Sequence, residues 1–75
     1  MENPLALFVS YPDLVNKLRY QRDDEEVFLL TEKIKEVPLL LLDDIGAGTL
    51  SDFVREQTYL ILNERFNNGK STIVT

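Results

Sequence analysis

Two adjacent carboxylates, Asp43 and Asp44, close an unbroken run of four leucines, Leu39 to Leu42, and they are the residues of this chain with the clearest chemical potential. A strand buried on both faces reads as a continuous apolar run, and acids at its C-terminal end stand where parallel α/β sheets gather their ligands. The chemistry this suggests is that of a Mg²⁺-nucleotide, with one carboxylate on the metal and the other polarising a water. The plainer reading is that two acids mark the solvent-exposed end of a buried strand. The remaining half of a nucleotide site is a glycine-rich loop whose backbone N–H groups and lysine hold the phosphates, and residues 1–75 contain none. Gly69-Lys70-Ser71 looks like the tail of such a loop, but Glu64 occupies the position that must be glycine. Its context also runs backwards, from a helix into a strand, so a helix cap accounts for it. The sequence has no histidine and no cysteine, which excludes His-based acid-base chemistry, thiolate metal sites and disulfides.

The elements that must position these acids alternate without a linker or repeat. Pro4 to Ser10 is an apolar run of strand length, and Pro12 sits where the first turn of a helix tolerates a missing N–H. Leu14, Val15 and Leu18 share one face of that helix. After a polar break at Tyr20 to Asp24, the acids Asp23, Asp24, Glu25 and Glu26 crowd the start of a second helix. Its apolar stripe is Val27, Leu30 and Ile34, with Glu32, Lys33, Lys35 and Glu36 facing water. Pro38 ends it and opens the leucine strand. Ile45 to Leu50 is a loop, and Thr49 or Ser51 caps a long third helix whose apolar face comprises Phe53, Val54, Leu60, Ile61, Leu62 and Phe66. Asn67-Asn68-Gly69 terminates it, and Ser71, Thr72, Ile73, Val74 and Thr75 form a β-branched strand. The fold class is therefore α/β in the order β-α-α-β-α-β, a small three-stranded parallel sheet with right-handed crossovers and helices on its faces.

Seventy-five residues make a single small domain. At roughly 1.5 kcal/mol of ordering cost per residue against about 25 cal/mol per Å² of apolar burial, such a chain balances near zero unless a partner covers more surface. A net charge of −5 argues against nonspecific grip on a phosphate backbone. No apolar stretch approaches membrane-spanning length, and the N-terminus has neither a basic region nor a signal-type core, so the expected location is the cytoplasm.

The segment VPLLLLDDIGAGTLSDFVREQTYLILNERFNNGKSTIVT closely resembles the Walker B to sensor 1 region of bacterial replicative helicase loaders of the DnaC/DnaI type and the related IstB transposition ATPases. LALFVSYPDLVNKLR resembles the second strand and following helix of the same AAA+ module, so the resemblance covers essentially the whole chain. It makes Asp43 and Asp44 the Walker B pair and Ser71 to Thr75 the strand leading into sensor 1. The family's first strand, P-loop, sensor 2 region and arginine finger have no counterpart in residues 1–75, so the resemblance implies a partial P-loop NTPase fold without cofactor, metal or hydrolysis, the two acids being vestigial. Arg65 reads as a solvated charge on an amphipathic helix rather than a trans-acting finger.

The resemblance further implies that the three strands lie side by side in chain order, leaving Ser71 to Thr75 as a bare edge open to strand addition. A homodimer through that edge, or through the apolar surface around it, is the expectation. Met1 falls just after the point where the P-loop helix would end, which suits an independently translated piece of a loader. Such a piece would bind an intact helicase loader ATPase and block helicase loading, plausibly as a phage protein directed against its host. Candidate contact residues are Ser71 to Thr75, the aromatic residues Phe53, Tyr59 and Phe66, and the acids Asp23, Asp24, Glu25 and Glu26, although charge compensation at a helix start explains the acids as well. Two other readings stay open: a fragment of a complete ATP-dependent loader, and a single-stranded DNA-binding module built on Lys17, Arg19, Tyr20 and Arg22, which the neighbouring acids disfavour.

Overall fold

The computed structural model describes residues 5–21, 23–46 and 51–75. Its elements are β1 (Ala6–Ser10), α1 (Tyr11–Tyr20), α2 (Glu25–Glu36), β2 (Leu39–Asp43), α3 (Asp52–Asn67) and β3 (Ser71–Val74), the order expected from the hydrophobic pattern. Local chemistry sets the boundaries. Pro12 stands in the first turn of α1, where its missing N–H has no helical partner to lose. Asp24 caps α2, its Oδ1 accepting from the Glu26 N–H at 2.8 Å, and Ser51 Oγ accepts from the Val54 N–H at the start of α3. Pro4 and the alternative cap Thr49 lie outside the described residues. At the other end of α2, Val37 is forced into extended backbone by the proline that follows it. Gly69 leaves α3 with a φ of +69°, a conformation that a Cβ would penalise. The Gly69-Lys70-Ser71 triplet thus runs from a helix end into β3.

The sheet is parallel throughout in the order β1-β2-β3, with Phe8, Leu41 and Ile73 in register across its middle. Both crossovers step in the same direction across the sheet, and right-handed connections then place all three helices on one face. On that face Val9, Leu40 and Leu42 meet Leu14, Val15 and Leu18 of α1, Val27 and Ile34 of α2, and Val54 and Ile61 of α3 in one core. Among the described residues no helix lies over the other face. The helices expected against the sheet gather on one face, and the leucine run is divided accordingly: Leu40 and Leu42 are buried, whereas Leu39 and Leu41 are half-buried on the open side.

Arg65 departs furthest from its expected place. It is 0% exposed rather than solvated, and it takes a core position on α3 while Phe66 and Leu60, expected on the apolar face, are exposed. Its guanidinium donates to the carbonyl oxygens of Ile34 (2.8 Å), Val37 and Ser71, and its Nε donates to Thr72 Oγ1 (2.8 Å). The sequence reason is Pro38. The helical acceptor at Ile34 should receive the N–H of residue 38, which proline lacks, so α2 ends with an orphaned buried carbonyl. Arg65 satisfies it and ties α3 to the α2–β2 turn and to the start of β3. No carboxylate neutralises the charge among these contacts, and desolvation lowers the guanidinium pKa from its ordinary value.

Candidate functional site

Asp43 is the last residue of β2 and Asp44 the first residue beyond it; both are exposed. Asp44 adopts a φ of +63°, in the left-handed region that aspartate tolerates better than most residues, and this turns the chain away from the strand direction. Asp43 Oδ1 accepts a 2.6 Å hydrogen bond from Thr75 Oγ1, and the Ile45 N–H donates to the Thr75 carbonyl at 3.0 Å. Asp43 and the Ile45 N–H therefore tie the end of β2 to the residue that follows β3. At the same rim, β1 passes directly into α1 through Ser10, Tyr11 and Pro12, a turn without glycine. Among the described residues no group of three or more acid, histidine or cysteine side chains converges for a metal. The geometry among the described residues is that of a carboxylate pair at a strand end without a glycine-rich loop leading into a helix beside it.

The interface candidates fall into separate surfaces. Ser71 and Thr75 donate their N–H groups to the carbonyls of Pro38 and Leu42 at 3.0 Å. By the alternation of a parallel ladder, Thr72 and Val74 turn theirs outward along a free edge. Beside this edge Tyr59, Leu62 and Phe66 of α3, with Thr72, Val74 and Lys70, line an open groove of about 430 Å³. Tyr59 is 66% and Phe66 81% exposed. Phe53 does not join them: it is half-buried and packs against the core, so the aromatic surface reduces to Tyr59 and Phe66. The acids Asp23, Asp24, Glu25 and Glu26 are all exposed, but Asp24 is engaged in capping. Arg19 lies 5.9 Å over the ring of Tyr20, a pairing internal to the end of α1, and Arg22 lies outside the described residues.

One surface was not singled out from the sequence. The helix-free sheet face carries Phe8, 65% exposed, and Ile73, 47% exposed, on either side of Leu41. Its signal was present in the leucine run, which reads as buried on both sides, together with the monotonic strand order, which sends both crossovers to one side.

A parallel sheet with acids at the C-terminal end of its central strand defines an α/β architecture whose ligand-gathering rim carries those acids. The chain is 31% identical over 52 residues to the replicative helicase loader DnaI of Bacillus subtilis (strain 168), a match covering 69% of this chain and 17% of DnaI. It superposes on AMPPCP-bound DnaA from Aquifex aeolicus with a TM-score of 0.77 at 20% identity, covering 92% of this chain and 22% of DnaA. No protein-family model matches. The chain has the fold of part of an AAA+ domain, and it spans about a sixth of the length of the loader it resembles.

Proposed function

We propose that this chain is a non-catalytic protein-binding module that engages a bacterial helicase loader ATPase and blocks helicase loading, so inhibiting DNA replication. The observation that carries the reading is an AAA+-like sheet that, among the described residues, leaves the β3 edge unpaired and one apolar face uncovered. A parallel sheet is ordinarily covered on both faces, so these surfaces are places where another protein would dock. The module pairs with a second copy of itself, and its site of action is the bacterial cytoplasm, as for a phage protein acting on its host. The acids Asp23, Glu25 and Glu26 supply an electrostatic route to a basic surface of the loader, and Phe8, Leu41 and Ile73 an apolar one. The direct experiment mixes the chain with an intact DnaI-type loader and follows complex formation together with the loader's ATPase and single-stranded DNA binding. A stoichiometric complex with reduced loader activity is expected; the absence of any complex overturns the proposal.

The small share of DnaI that the chain spans favours a second reading, in which these residues are one part of a complete ATP-dependent loader. On that reading the open face and edge are covered by the rest of the same polypeptide, and the isolated chain aggregates rather than forming a defined complex. Direct single-stranded DNA binding by the chain is a third reading, which a filter-binding assay at low salt tests; retention of the strand there would replace the protein-binding reading with a nucleic-acid one.

A further inference from the structure

We propose that two copies of this chain join β3 to β3′ in antiparallel fashion about a twofold axis at Ile73, making one six-stranded sheet with the α3 helices side by side. This rests on the homodimer reading and specifies its interface. The outward N–H and C=O groups of Thr72 and Val74 set the register, because a twofold axis pairs Thr72 with Val74 of the second copy and Val74 with Thr72. Each such pair exchanges two backbone hydrogen bonds, and Ile73 falls opposite Ile73 as a closely spaced pair between them.

The side chains agree with this arrangement. Val74 and Thr72 belong to the groove beside Tyr59, Leu62 and Phe66, so the edge and the groove form one continuous surface. A helix crossing from β2 to β3 lies roughly above the gap between them. With strands about 4.8 Å apart, the α3 axes of the two copies then come about 10 Å apart, an ordinary helix-packing distance. Tyr59 and Phe66, the most exposed residues of that groove, lie between the helices, where the aromatic ring of one copy can enter the groove of the other. At the usual size of an aromatic side chain these two residues expose roughly 300 Å² per copy. With the strand edge and rim added, the contact lies toward the low end of the ~800 Å² per partner that stable complexes bury, which predicts a micromolar dimer. On the helix-free face the row Phe8, Leu41, Ile73 is continued by its symmetry copy, doubling that apolar strip.

The absence of native cysteine permits a clean test. In the Ile73→Cys variant the opposed Cα atoms are about 4.5 Å apart, within disulfide range, so mild oxidation of the full chain should give a linked dimer. A Phe8→Cys control, some five strand spacings or about 24 Å from its symmetry mate, should remain unlinked. Val74→Pro removes one outward N–H without touching the β2 ladder, and Phe66→Asp charges the groove; each should weaken the dimer at least tenfold in sedimentation equilibrium. A wild-type chain that stays monomeric up to about 100 μM overturns the homodimer reading itself. A wild-type dimer that resists both Val74→Pro and Phe66→Asp and does not link through Ile73→Cys leaves homodimerisation standing and overturns this interface; linking through Phe8→Cys would do the same.

Discussion

Replacing Arg65 by methionine keeps the volume of the aliphatic stem while removing every donor, and its cost can be worked from the contacts. The guanidinium satisfies the carbonyls of Ile34, Val37 and Ser71 and the hydroxyl of Thr72, and Ile34 has no alternative donor because residue 38 is proline. A buried carbonyl left without a partner costs about 1–3 kcal/mol, and three carbonyls lose a donor at once here, while no opposite charge is left unpaired. The contacts share one side chain, so their costs add only in part, and about 3–5 kcal/mol is the expected loss. A domain of this size has about 4–11 kcal/mol of stability in total, so Arg65→Met should remove a large part of it. Urea unfolding followed by far-UV circular dichroism, with a slope near 1 kcal/mol per M, would show the midpoint falling by about 3–5 M or the chain already unfolded in buffer. Arg65→Lys, able to reach only some of the acceptors, should fall between. Since the acceptors are carbonyls and a hydroxyl within the fold, the loss should be nearly the same at low and high salt. A loss below about 1 kcal/mol, or one that disappears at high salt, would refute the assignment of Arg65 as the link between α2, α3 and β3.

Gly69→Ala should cost about 1 kcal/mol in the same unfolding assay, because nothing crowds the position and the penalty is purely that of a φ of +69°. A neutral result would mean the turn relaxes out of the left-handed region. Millimolar Mg²⁺-ATP should move the Tm of the chain by less than about 1 °C in differential scanning fluorimetry, since no described glycine-rich loop stands beside Asp43 and Asp44; a rise of several degrees would reveal a nucleotide site. Charge reversal of Asp23, Glu25 and Glu26 with Asp24 retained as the cap should weaken loader binding about tenfold at low salt and little at high salt, and unchanged binding discards the electrostatic route.

Much of the architecture was legible because local signals and the global pattern agree. Pro12, Asp24, Ser51 and Gly69 mark element ends by backbone chemistry alone, and the leucine run with its two acids identifies a central parallel strand. What was not legible depends on which residues meet in space. Arg65 occupies a helix position whose neighbours Ile61 and Leu62 read as core and whose own charge reads as surface, and its burial follows from a carbonyl left over 31 residues away, at the end of another helix. Phe53 and Phe66 lie on the same helix and are alike by composition, yet one is half-buried against the core and the other lies open beside β3. The placement of all the helices on one face follows from strand order, which periodicity alone does not reveal. The Asp43–Asp44 pair was read correctly as the end of β2, whereas its tie to Thr75 required knowing that the end of β3 lies beside it.

Whether the AAA+-like sheet serves as a binding surface for an intact loader is tested most directly by titrating the chain into a DnaI-type loader. Loader single-stranded DNA binding and the mass of the complex are followed together in that titration. The prediction is a defined complex whose formation lowers loader DNA binding in proportion to occupancy. A loader whose mass and DNA binding stay constant as the chain is added in excess would contradict it.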